Sequence, residues 1–182
     1  MDSMYFIAIV LPEELNQKIL SFKRYMFEKY KCQVGLKSPA HITLVPPYWM
    51  NEELEIQLMK DLELHANTFR PFSLSTHHFS GFPPKTIFIA LEENEDLKNV
   101  KNKTDDFFKG RPEYKMKIDN RPFHPHITIA TRDLYKKGFY EASEYFSSIE
   151  FAETWIADGM SLLKHNKKNW HVIHTSQFNS YL

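Results

Sequence analysis

The sequence predicts an α+β protein in which two antiparallel sheets, related by approximate two-fold symmetry, carry helices on their outer sides. Three observations lead there. Apolar β-rich runs alternate with segments whose apolar residues recur every three or four positions, so strands and helices interleave. Gly- and Pro-rich punctuation joins neighbouring strand runs in the manner of antiparallel pairs. A unit also repeats: each half holds a proline, a His-Ile-Thr tripeptide in a strand run, a break, a helix and further strands. Such a repeat informs the fold class before any single element does.

Taken in order, Tyr5 to Leu11 is an apolar run ending at Pro12 and reads as a buried first strand. It lacks a basic leader and is too short to cross a bilayer. Pro12-Glu13-Glu14 then opens a helix, with proline and acids suited to its first turn. Leu15, Ile19, Phe22 and Met26 extend that helix as an apolar stripe to about Tyr30. Pro39 opens the second strand, His41 to about Val45, which Pro46-Pro47 should close. Asn51 caps a second helix with Leu54, Leu58 and Leu62 on one face. Phe72 to Phe79 and Thr86 to Leu91 form a pair joined by Gly81-Phe82-Pro83-Pro84. A third helix covers Asp96 to Phe108, Pro125 opens a strand through Ala130, and Asp133 leads a fourth helix to about Phe146. Further apolar runs span Ile149 to Ile156, Met160 to Leu163 and Trp170 to Phe178, the last two forming a hairpin around the polar loop Lys164 to Asn169.

The 182 residues suit one domain covering 1–182 in two interleaved lobes. A hydrophobic content of 42 % with 15 % aromatics supplies a real core and excludes a disordered chain. With 23 basic and 23 acidic residues, a protein that coats nucleic acid through its overall field is excluded, while a local basic groove is not. Cys32 is the only cysteine, so no disulfide framework exists, and a soluble cytoplasmic monomer is expected.

The chemistry concentrates in two tetrads, His41-Ile42-Thr43-Leu44 and His126-Ile127-Thr128-Ile129. Strand side chains alternate between faces, so in each tetrad His and Thr share one face and the aliphatic pair shares the other. One face can sit on a core while the other offers an imidazole and a hydroxyl. Of the nine histidines, only these two have threonine two positions later. Opening a cyclic phosphate or transferring a phosphodiester needs one group to take a proton from the attacking oxygen. Another must give a proton to the leaving oxygen. Histidine, with a free pKa of about 6.5, fills either role near neutrality. The threonine hydroxyls can donate to non-bridging phosphate oxygens, where charge accumulates. Nothing in this scheme requires a metal or another cofactor.

The tetrads resemble the two motifs of the 2H phosphoesterases, in the branch similar to bacterial 2′-5′ RNA ligases and cyclic nucleotide phosphodiesterases. Both match the pattern of His, an apolar residue, Thr or Ser, and a second apolar residue. Weaker similarity runs through Tyr5-Phe6-Ile7-Ala8-Ile9, through Phe79-Ser80-Gly81-Phe82-Pro83 with Thr86-Ile87-Phe88, and through Ser161-Leu162-Leu163 to Trp170-His171-Val172. The resemblance implies a bilobal fold with a central groove, catalytic His41 and His126, and phosphate-binding Thr43 and Thr128. It also implies action on 2′,3′-cyclic phosphates or 2′-5′ linkages in RNA ends or small nucleotides.

Other residues are weighed beside these. His124, two before His126, is a substrate contact or an exposed strand-end residue. With His126 it also makes a candidate metal pair, though Pro39 stands at the equivalent place before His41. Lys85 beside the turn Gly81 to Pro84, and Tyr48-Trp49 just after the first tetrad, are near enough to the expected groove to bind a nucleotide, with a place in the core as the alternative for the two aromatics. Lys164, His165, Lys167, Lys168 and Trp170 make a basic stretch that either holds an RNA backbone or simply faces solvent. Two alternatives to a metal-independent enzyme remain at this point, a metal-dependent hydrolase using His124 and His126 and a nucleotide-binding module without turnover. His124 and Arg121 near His126 predict the lower pKa there. That makes His126 the base and His41 the acid.

Overall fold

In a computed structural model, which describes residues 1–118 and 121–181, the elements form one hydrogen-bonded sheet of eight strands with four α-helices. The strands are β1 (Asp2–Val10), β2 (His41–Asn51), β3 (Phe72–Phe82), β4 (Thr86–Leu91), β5 (His126–Ala130), β6 (Thr154–Ala157), β7 (Gly159–His165) and β8 (Trp170–Gln177). The helices are α1 (Glu13–Tyr30), α2 (Glu55–Ala66), α3 (Glu95–Lys109) and α4 (Lys136–Ser147). The α+β class holds. The two separate sheets do not: the order β6-β3-β4-β5-β2-β1-β7-β8 is continuous, every pair antiparallel. Its two four-strand halves meet at β2 and β5, where the ladder is the single pair Ile42↔Ile127.

One face of this sheet is the main core. Tyr5, Ile7, Ile9, Ile42, Leu44, Ile127 and Ile129 are almost wholly buried. Each fully buried side chain of this size contributes about 1.5–3 kcal/mol relative to exposure. α1 packs over β5, α4 over β3 and β4, α3 over β2, and α2 over β7 and β8. On α1 the buried stripe Leu15, Ile19, Met26 and Tyr30 also holds Lys23, 3 % exposed, whose ammonium donates to the Ser38 carbonyl at 3.0 Å. Burial without a carboxylate pushes the Lys23 pKa down to about 8.

Several boundaries differ from expectation for visible reasons. β2 runs through Pro46-Pro47 to Asn51 instead of closing there. One register shift against β1 spans the prolines and a second falls between Val45 and Thr43; past Ile42 the other edge of β2 has no partner strand among the described residues, so the missing N–H groups break no ladder there. The shifts add two residues in all, so their effects on facing cancel: Val45, between them, turns into the core with Ile7, while beyond the prolines Tyr48 faces the core with Tyr5 and Trp49 the groove with Met4. Asn51 does cap a turn, its Oδ1 accepting from Glu53 N at 3.0 Å, but that turn is a 3-10 segment before α2. Asp133 does not start α4, for which Tyr135 is the N-terminal cap. Its carboxylate accepts instead from the backbone N–H groups of Gln33 and Val34, at 2.6 and 3.0 Å.

That carboxylate ties the 3-10 turn Val34–Lys37 to the end of β5, and Gly35 lets the two backbones meet. A Cβ at Gly35 would stand 2.2 Å from the Ile129 carbonyl oxygen, which belongs to a strand and cannot yield. Gly35→Ala is therefore expected to destabilise the fold by roughly 1–3 kcal/mol, the usual cost of overpacking. Chemical denaturation should show a lower midpoint with unchanged slope.

Candidate active site

The face opposite the helices carries both histidines. With Ile42 set against Ile127, the antiparallel register places His41 against Thr128 and Thr43 against His126. All four side chains are half-buried, while Ile42, Leu44, Ile127 and Ile129 between them point into the core. Directly opposed Cβ atoms in such a pair lie about 4.5–5.5 Å apart and diagonal ones about 7–8 Å. The two imidazoles take the diagonal, which leaves room for one phosphorus centre between them.

Each ring is held alike. His41 Nδ1 lies 2.7 Å from the Pro39 carbonyl oxygen and His126 Nδ1 lies 2.7 Å from that of His124. A carbonyl can only accept, so Nδ1 carries the proton in both rings, and in the neutral form Nε2 is left with a lone pair. Phe6 packs on the His41 ring at 4.8 Å, and Phe88 and Phe82 on His126 at 4.9 and 5.3 Å. Desolvation lowers both pKa values. His41 falls to about 4, with lesser depressions from Lys23 and His126, and His126 is lowered chiefly by burial and then by His124. The order anticipated from charge alone is thus reversed. His41, over Phe6 and near the buried Lys23, is the ring with the large shift.

A cavity of about 380 Å³ opens beside His41, Thr43 and Thr128. Its aromatic wall is Phe6 edge-on to Trp170 at 4.7 Å, with His165 against Trp170 at 4.8 Å. Its cations are Lys37 and Arg132, and Arg132 holds a left-handed backbone (φ 62°) that costs of order 1 kcal/mol in a non-glycine residue. A second cavity of about 280 Å³ adjoins Thr43 and His126 on the other side, lined also by Phe82, Phe123, Arg121 and Lys101. Thr43 borders both cavities. Neither threonine hydroxyl has a hydrogen-bond partner among the described residues, so both can donate to a ligand.

The remaining sequence candidates separate. His124 is exposed and lines the second cavity, its ring 5.1 Å from Phe82. Trp49 is 57 % exposed on the groove-side face of β2, next to cavity-lining Met4. Tyr48 is not a substrate contact: strand alternation turns it into the core at 2 % exposure. Lys85 is exposed in the β3–β4 turn and lines neither cavity. The basic stretch divides the same way, since Lys164 shares the face of Tyr5 and pairs with Glu55 at 2.7 Å, while His165 and Trp170 border the cavity. Phe6, Arg132 and Gly35 escaped sequence reasoning. Only Phe6 left a signal, in the alternation of Phe6 and Ala8 against Ile7 and Ile9.

With this geometry in view, the family can be stated. The 2′-5′ RNA ligase superfamily model matches residues 11–169, and the chain belongs to that family. Among curated relatives, a Geobacillus thermodenitrificans protein provisionally named a phosphoesterase is 28 % identical over 72 % of this chain and 70 % of its own. A Geobacillus kaustophilus protein named likewise is 30 % identical over 71 % and 69 %. Among solved structures, Escherichia coli LigT in its apo form superposes with a TM-score of 0.65 at 18 % identity, covering 98 % of both chains. The Thermus thermophilus protein TT0787 gives 0.66 at 18 % identity over 96 % and 97 %. These two show the fold alone. No helix among the described residues is long and apolar enough to cross a membrane.

Proposed function

We propose that this chain is a metal-independent phosphoesterase that hydrolyses 2′,3′-cyclic phosphates or 2′-5′ linkages of RNA ends or nucleotides, in one domain, with His41 and His126 as its proton-transfer pair. The observation that carries the reading is the pairing of two like-tethered imidazoles on one sheet face, each with Nδ1 held by a carbonyl and each bordering a cavity that Thr43 also lines. The names of the Geobacillus relatives agree with it. E. coli LigT has been crystallised with 3′-AMP and with phosphate, and nucleotide binding is carried over from that protein to this groove.

For a 2′,3′-cyclic phosphate, a water oxygen bonds to phosphorus as one ring P–O bond breaks. The water proton passes to one Nε2, and the proton on the other Nε2 passes to the departing ribose oxygen. His41 is the base, because its lower pKa leaves it neutral over the wider pH range, and His126 is the acid. Thr43 and Thr128 donate to the non-bridging oxygens, and Lys37 and Arg132 supply positive charge at the cavity rim. The profile of kcat/KM against pH should be a bell lying on the acid side of 6.5. Its acid limb falls where His41 protonates, near 4, and its alkaline limb where the pair loses its remaining proton. A maximum well above pH 7 would contradict this.

Purified protein should be assayed against 2′,3′-cyclic nucleotides, cyclic-phosphate-ended RNA and 2′-5′-linked oligonucleotides. Turnover of at least one is expected, and binding without turnover of any would favour the binding-module reading. The metal-dependent reading has weak footing in the donor set. His124 and His126 supply two nitrogens where catalytic zinc takes three protein ligands, and no group of three or more His, Cys, Asp or Glu converges among the described residues.

A further inference from the structure

A third cleft, about 480 Å³, lies between the Val34–Lys37 turn and the β7–β8 hairpin, lined by Phe27, Leu36, Lys37, Lys167, Lys168 and Asn169 among others. It meets the His41 cavity at Lys37, which borders both. In a chain of zero net charge, three lysines here have no carboxylate partner among the described residues, whereas Lys164, earlier in the same stretch, is engaged by Glu52 and Glu55. The cleft also offers a flat apolar surface, since Phe27 is 39 % exposed.

Both walls are fixed before any ligand arrives. The turn is pinned by Asp133 and by the close approach of Gly35 to Ile129. The hairpin tip is pinned by Asn166, whose Oδ1 accepts from Lys168 N and Asn169 N at 3.1 and 2.8 Å. Lys167 sits left-handed (φ 71°) at that tip, a conformation lysine adopts at a cost. Lysines on a held backbone beside an exposed ring match a single strand, whose phosphates need charge and whose bases stack on any aromatic face.

We propose that this cleft holds the RNA chain that continues from the nucleotide in the His41 cavity, so that the preferred substrate is an oligonucleotide end and not a mononucleotide. The inference rests on the phosphoesterase reading and adds a subsite to it. Contact with the backbone makes it indifferent to base sequence and sensitive to salt. For single strands, log affinity falls by about 0.7 per neutralised phosphate for each decade of salt. Three lysines thus imply about a 20-fold loss between 50 and 200 mM salt, and one remaining lysine about a threefold loss.

The test compares wild type with the double variant Lys167→Asn, Lys168→Ala, in which asparagine tolerates the left-handed position. Fluorescence anisotropy reads binding of a labelled RNA hexamer ending in 3′-phosphate, and kcat/KM is measured for a cyclic-phosphate-ended hexamer and for a 2′,3′-cyclic mononucleotide. Expected are weaker hexamer binding with a shallower salt slope, a matching fall in kcat/KM for the hexamer, and an unchanged kcat/KM for the mononucleotide. Equal hexamer binding by both proteins, or an equal fall for hexamer and mononucleotide, overturns the subsite. Lysine-dependent binding with no turnover of either substrate by wild type would instead refute the phosphoesterase reading and leave the RNA cleft standing.

Discussion

Replacing either His41 or His126 with alanine is expected to lower kcat/KM for a 2′,3′-cyclic phosphate by about 10²–10⁴-fold, the usual worth of one placed proton-transfer group. The double variant should lose little more than the worse single one, because a relay missing either member no longer works as a unit. Folding should survive. Each ring is half-buried on the groove face, and the core is carried by the intervening Ile42 and Ile127. Matched thermal melts, with near-normal binding of a 3′-nucleotide, would separate lost chemistry from lost structure. A variant that kept more than a tenth of wild-type kcat/KM would remove that histidine from the mechanism.

The second large effect is expected at the threonines. Thr43→Val and Thr128→Val keep shape and strand preference while deleting a hydroxyl that has no intramolecular partner among the described residues. Loss of one donor aimed at developing charge costs roughly 10²–10³-fold in kcat. Thr43 borders both cavities, so its loss should be felt with either histidine's side of the substrate altered. Phosphate binding followed by NMR should weaken in both variants. If only KM rose, with kcat intact, the hydroxyls would be binding the ground state alone.

The two tetrads were legible because everything they need is local. Four residues set the strand, the alternation and the pairing of imidazole with hydroxyl, and repetition supplies the second copy. Helix α1 was legible for the same reason, through the spacing of Leu15, Ile19, Phe22 and Met26. What stayed hidden depends on strands distant in sequence. Trp170 reaches Phe6 only because β8 pairs with β7 and β7 with β1, so no window of sequence contains that wall. Tyr48 and Trp49 are adjacent in sequence and sit on opposite faces. Reading that pair correctly required the strand to continue past two prolines, and only the cancelling register shifts against β1 allow it. The order of the histidine pKa values was hidden for a third reason. Nearby charge in sequence pointed to His126, but desolvation dominates both rings, and desolvation is a property of packing.

In the proposed mechanism side chains alone supply acid, base and oxyanion contacts. This is tested most directly by following hydrolysis of a 2′,3′-cyclic-phosphate substrate by protein treated exhaustively with chelator, in metal-free buffer. The expected rate equals that of untreated protein, is abolished by His41→Ala or His126→Ala and is unaffected by added zinc, magnesium or manganese. Loss of activity on chelation, restored by one of those ions, would contradict it.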